Sequence, residues 1–442
     1  MSFTKEDVEQ LSATLREPRW VLERRLDAWK IVEDSELPHE KIEAWRYTDF
    51  RRLKFSLDTF RLAPPQETSE ITEVQETLVK EEGERGGYVV QRDADVVHQE
   101  LSPDLAAQGV ILMSLDKAVV DHEEIVQEHL FTQTKPHDHL FAALHCSLFS
   151  GGTFLYVPKG VSVSLPIESQ RWIDEGGTGI FPHSLIVVEE GAELTYFERF
   201  QSIPIPNDSI SNGAVEIVAG PRSHVGFVAL QEYGGRVWNF QRIDMSAAKD
   251  AVIRSLIVTL GGRFSRQEVR TAMRGEGVDC EMLGLYFAEK GQHFDFRTFQ
   301  DHIGPRCRSD LLYKGALKDA SRTVYSGMIR VEPHAEGTDA YQTNRNLVLS
   351  DHAKADSKPE LEILNNDVKC SHGASVGQMN EEEIFYLMTR GIERPQAERL
   401  IVNGFFEEVV GRVRQDEIRQ VLSDAIEHKL TGRWHSAGEE GS

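Results

Sequence analysis

Cysteine is scarce in this chain and scattered: Cys146, Cys280, Cys307 and Cys370 are all there are in 442 residues. No Cys-x-x-Cys occurs, which argues against a zinc knuckle or a redox dithiol; in a reducing compartment these four are free thiols. Long apolar runs are missing too. No stretch of ~18 apolar residues exists, so no membrane-spanning helix is expected. The opening Met1-Ser2-Phe3-Thr4-Lys5-Glu6-Asp7 has no signal-peptide apolar core, and a cytoplasmic protein is expected. Basic residues are in deficit, 49 against 72 acidic, for a formal charge of −23. That speaks against nucleic acid or an anionic membrane surface as the main partner. There is no Gly-x-x-x-x-Gly-Lys-Ser/Thr loop, no Gly-x-Ser-x-Gly elbow and no convincing dinucleotide fingerprint. Hydrolysis of ATP by this chain in the P-loop manner is therefore not expected.

What is present is alternation. From about Gly151 to Val376 short runs alternate apolar and polar residues, as in Thr153-Phe154-Leu155-Tyr156-Val157, Ala214-Val215-Glu216-Ile217-Val218 and Leu361-Glu362-Ile363-Leu364. Turn signals such as Pro158-Lys159-Gly160, Glu189-Glu190-Gly191, Ala219-Gly220-Pro221 and Asn365-Asn366-Asp367 break them every 15 or 30 residues or so. A half-buried strand alternates with period two and ends at a turn. One such strand cannot bury a core alone, so stacked coils must bury it together. The pattern predicts a mainly β chain, a right-handed parallel β-helix with N-terminal and C-terminal helical regions. A β-sandwich or jelly roll is the alternative, since no strict short repeat is visible. The chain divides into an N-terminal helical region and acidic linker (1–110), a β-helix core (111–377), a C-terminal helical domain (378–435) and a tail (436–442) expected to be disordered.

Val8, Leu11, Leu15, Val21, Leu22, Leu26 and Trp29 recur at helical spacing, with Pro18 breaking the run in two. Residues 116–130 also read as helical. Asn380, three residues before Glu383, caps a helix ending at Gly391; Pro395 opens a second; Asp416 is expected to cap a third. Glu43-Ala44-Trp45-Arg46-Tyr47-Thr48-Asp49 reads as packing with a local ion pair. His137, His139, His145 and Cys146 tempt a metal reading, but no further ligands complete a set, so packing is preferred. The many arginines between Arg254 and Arg330 read as solvated faces; an arginine-lined groove for an acidic ligand is the alternative. One pair stands out: Cys370 and His372, two apart, share one face of a strand near the solenoid's end. That arrangement suits shared binding of a soft metal or sulfur species, or an imidazole lowering a thiol pKa; plain packing is the bland reading.

Four stretches together resemble the SufB/SufD family of iron–sulfur cluster assembly proteins. They are Glu43 to Asp49, Phe154-Leu155-Tyr156-Val157-Pro158-Lys159-Gly160-Val161, the segment Asn366 to Gly377 around Cys370-Ser371-His372-Gly373, and Phe385-Tyr386-Leu387 through Asn403-Gly404-Phe405. The Trp-Arg-Tyr-Thr-Asp and Cys-Ser-His-Gly segments look like the SufD branch; SufB carries Glu-His at the latter place. The resemblance implies a β-helix scaffold that is not itself an enzyme. It would pair with a SufB-like subunit through the β-helix ends, with a homodimer in isolation left open. Its C-terminal helices would dock a SufC-like ATPase, with Leu400, Ile401, Phe405 and Phe406 as candidate contacts. Sulfur would come indirectly from a cysteine desulfurase system. His372, with Cys370 in a less certain role, would help hold a transient iron–sulfur cluster shared with the partner. Reduced flavin is implied for the complex only, with no motif here to place it. A β-helix polysaccharide lyase or hydrolase is the alternative from another class; a metal-free interaction module is a third.

Overall fold

The computed structural model describes residues 2–65 and 84–432. Most of the acidic linker and the C-terminal tail lie outside the described residues. Two sheets of mainly parallel strands, stacked coil upon coil, make the body. The first sheet is built from β4 (Ile111–Ser114), β5 (Thr153–Val157), β8 (His183–Val188), β10 (Ser209–Ala219), β12 (Val237–Ala247), β14 (Phe264–Met273), β16 (His293–His302), β18 (Arg322–Val331) and β20 (Lys354–Ile363), with β1 (Arg61–Leu62) and β7 (Thr178–Ile180) at its side. The second holds β2 (Gly87–Arg92), β3 (Asp95–Leu101), β6 (Ile167–Ile173), β9 (Glu193–Ser202), β11 (His224–Glu232), β13 (Val252–Thr259), β15 (Asp279–Ala288), β17 (Arg308–Leu317), β19 (Thr338–Val348) and β21 (Val368–Gln378).

From β8/β9 to β20/β21 the chain alternates between the sheets, one strand in each per coil. This is the expected β-solenoid. Phe264 lies in register with His293, 29 residues on, which is the longer of the two turn spacings in the sequence. Strand residues of one parity point inward. Val215, Ile243, Val269, Leu194, Phe227, Ile253, Met282 and Leu311 belong to one continuous core. Tight coil stacking needs glycine at certain turns: a Cβ on Gly304 would stand 2.1 Å from the Gly275 carbonyl oxygen.

The two ends differ. At the N-terminal end β3 and β4 pair antiparallel with β2 and β5, and Val89, Leu105, Val110 and Leu112 close the interior. Helices α1 (Lys5–Thr14) and α2 (Arg19–Glu33) form on either side of Pro18 as expected. Then α3 (Leu115–Asp121), α4 (Glu123–His129) and α5 (Leu140–Leu148) lie between β4 and β5. The run Leu140 to Leu148 is a fully buried helix, a reading the sequence did not give. At the C-terminal end β20 and β21 are terminal strands of their sheets, and Ile363, Leu364 and Val376 are 41%, 48% and 51% exposed.

Three helices follow: α6 (Glu381–Thr389), α7 (Arg394–Val410) and α8 (Asp416–Leu430). Asn380 caps α6, and Gly391 takes φ +82° after it. Asp416 is not the cap of α8, which is Gln415; Asp416 is its first helical residue and pairs with Arg419. The apolar stripes of α7 and α8 merge with the outer face of the second sheet, Val402, Phe406, Val409, Leu422 and Ile426 joining Val228, Leu256, Leu283 and Leu312 in one cluster. Charges fix the contact: Lys314 Nζ donates to the Phe405 carbonyl at 2.8 Å, and Arg412 pairs with Glu281 at 2.9 Å.

Candidate functional site

The site is built where the solenoid stops. Among the described residues, β21 pairs with β19 on one side only. Cys370 stands in register with Ala340, and His372 with Gln342. Ala340 and Gln342 are fully buried on the inward face, so Cys370 and His372 share that face, as period two requires. Their surroundings differ. Cys370 is half-buried and packs, with Val368 and Leu361, on Ile329, Val331 and Ala340. His372 is exposed. Burial pushes the Cys370 thiol up from its ordinary value, against the Ala340 backbone contact that lowers it. An imidazole-activated thiolate is thus not what forms here: desolvation wins, and the thiol stays protonated at neutral pH. A soft metal can still displace that proton on binding.

Cys280 and Ser309 continue the Cys370 column inward through Ala340. Burial raises the Cys280 thiol to about 12, which makes it inert without a partner. Among the described residues, no three His, Cys, Asp or Glu side chains come together in a metal site. One thiol and one imidazole at an open edge cannot saturate a tetrahedral ion by themselves.

The other singled-out residues pack. Trp45 is buried, with the Arg266 guanidinium 3.7 Å over its ring and His139 edge-on at 5.7 Å. The Thr48 hydroxyl donates to Asp295 at 2.8 Å. His139 caps α5 and meets Glu268 at 2.8 Å. His145 bridges the Asn212 carbonyl and His183 Nδ1, at 2.8 and 2.9 Å. Cys146 is buried among them. Several of the arginines are matched by carboxylates on their own or adjacent coils: Arg266 and Arg297 with Asp295, Arg254 with Asp279, Arg322 with Asp356.

The candidate dock is divided. Phe406 is 1% exposed, inside the cluster that holds α7 to the solenoid, and Phe405 and Ile401 are half-buried. Leu400 is 46% exposed. So are three residues not named among the candidate contacts: Phe385 at 68%, Tyr386 at 57% and Met388 at 44%. A helical stripe four or five positions wide was legible, but not which side of it faces the sheet.

No helix among the described residues is long and apolar enough to cross a membrane. Family models match nearly the whole chain: "SufBD protein N-terminal region" over residues 9–168, and "SUF system FeS cluster assembly, SufBD core domain" over 171–405. The iron–sulfur cluster assembly protein SufD of Bacillus subtilis is 30% identical over 97% of this chain and 98% of its own length. SufB of the same organism is 29% identical over 92% of this chain and 88% of its own. A SufBD family protein of Staphylococcus epidermidis is 28% identical over the same shares. With both halves matched and a full-length relative at that identity, this chain belongs to the SufBD family of iron–sulfur cluster assembly proteins.

Proposed function

We propose that the chain is a non-catalytic scaffold subunit of an iron–sulfur cluster assembly complex in the cytoplasm. It pairs end-on with a SufB-type subunit across the open coil β20/β21. It docks a SufC-type ATPase through the outward side of α6 and α7, and lends His372, with Cys370 beside it, to a cluster in transit. The sulfur comes indirectly from a desulfurase system. One observation carries this reading: the solenoid is sealed by its own residues at one end, while at the other Ile363, Leu364 and Val376 are exposed on the same terminal coil as the Cys–His pair. Two ligands are too few for a resident metal but suited to a cluster completed by a second chain. The carbohydrate-cleaving alternative is not favoured: Glu189-Glu190 lies at a turn, and Glu190 is paired with Lys159 and Arg222. Reduced flavin stays a proposal for the assembled complex only.

The test is reconstitution with the partner subunits under anaerobic conditions. His372→Ala should fold with an unchanged melting temperature and still form the complex, yet cut cluster formation at least about 10-fold. Normal cluster yield with that variant would refute the assigned role.

A further inference from the structure

Gln342 lies directly beneath His372, in register on the neighbouring strand β19, and is fully buried. Its Nε2 donates to the Gly327 carbonyl at 3.3 Å across the interior. That approach depends on Gly327, whose Cβ, if it had one, would stand 2.5 Å from Nε2. The Oε1 of Gln342 is enclosed and without a hydrogen-bond partner among the described residues. A buried amide oxygen is normally served by a donor. The nearby Tyr325 hydroxyl, which also lies against Gly327, shares a hydrogen bond with Thr298 Oγ1 at 2.9 Å. The register partner on the preceding coil is Leu311, which has none. Along the same inward face Ala340 has none, and Asn344 Nδ2 donates to Tyr286 Oη and the Tyr313 carbonyl. Across the interior the Ser357 hydroxyl is engaged with Asn344 Oδ1 at 2.7 Å. The remaining register neighbour is His372, one strand spacing away (about 4.8 Å) and exposed, so its ring is free to turn.

We propose that Gln342 is the positioning residue for His372: its Oε1 accepts a ring N–H of the imidazole and thereby fixes the tautomer. The other ring nitrogen then presents its lone pair across the open end. This inference rests on the reading of His372 as a cluster ligand. Its physical basis is general: an imidazole ligand is held in one tautomer by whatever accepts from its second nitrogen.

The test separates the two ideas. The full chain is labelled with ¹⁵N at the histidine rings, and the His372 signals are assigned by their loss in His372→Ala. In the wild type one tautomer should dominate. In Gln342→Met, similar in size but without an acceptor, both tautomers should appear; in Gln342→Glu, which keeps an acceptor oxygen, one should persist. Mixed tautomers in the wild type, or no change in Gln342→Met, overturn the positioning role whatever the variants do to stability. Cluster formation is then measured on the same proteins in the reconstituted complex. Gln342→Met should lose about 10-fold and Gln342→Glu should recover most of it. A tautomer released by Gln342→Met with full cluster formation would leave Gln342 the orienter of His372 and remove His372 from the cluster.

Discussion

At the scale of single residues, the same physics that silences Cys370 makes Asp116 a liability. Its Oδ2 accepts from the Gly151 N–H at 2.8 Å, while Oδ1 is enclosed without a partner. Burial pushes its carboxyl up to about 7; the Gly151 contact opposes this and Glu17 adds to it. A carboxyl whose pKa rises on folding contributes stability below its unfolded value, near 3.8, and loses it as pH climbs to 7. Asp116→Asn mimics the protonated form. It should raise the melting temperature by several degrees at pH 8, with most of that gain gone at pH 4. Thermal melts at the two pH values decide it, and an equal gain at both would mean that charge is not the cause. The pairing of Cys370 with His372 on one face was legible from spacing, because strand periodicity is local. That one is sheltered and the other exposed was not, because it depends on Ile329 and Val331 arriving from the preceding coil and Leu361 from the facing strand.

At the scale of elements, legibility followed the same rule. Turns at near-constant spacing announced stacked coils, since each coil must return the chain to the same register. Pro18, Asn380 and Gly391 acted where they were expected, because breaking and capping are settled within a few residues. The buried helix α5 was missed: its run from Leu140 to Leu148 is apolar on every side, so periodicity gives no stripe to read. The C-terminal helices show the limit most clearly. Their apolar positions could be read, but the stripe faces the outer side of the second sheet, which buries one candidate contact, Phe406, and leaves another, Leu400, exposed. Phe406→Asp places an unpaired charge in that cluster and should cost at least about 3 kcal/mol, releasing α7 and α8 from the solenoid. Leu400→Asp should leave the melting temperature unchanged and weaken ATPase binding instead. Calorimetry paired with a pull-down of the ATPase separates them. If Phe406→Asp proved stable, or Leu400→Asp bound normally, the division of this surface would be wrong.

At the scale of the whole molecule, a solenoid is stable through nearest-neighbour coil contacts, so each terminal coil needs something over it. This chain supplies that cover at its beginning, with β2 to β4 and Leu105, Val110 and Leu112. At its end it leaves two edge strands, with Ile363, Leu364 and Val376 exposed. Uncapped edges invite strand pairing and are normally blunted. Here the outward faces carry charge, Arg322 with Asp356 and Arg330 with Glu332, while the inward positions Ile363 and Val376 stay apolar. Blunting the side and sparing the end is what an end-on partner requires. Ile363→Lys together with Val376→Lys places two charges on that end without touching the buried core below. The doubly substituted chain should keep its melting temperature and still bind the ATPase, since α6 and α7 are elsewhere. It should fail to form the complex with a SufB-type subunit, as read by light scattering after gel filtration. Retained pairing would put the partner on another face and detach His372 from any shared site, whereas loss of both partners at once would mean that the end coil had come apart.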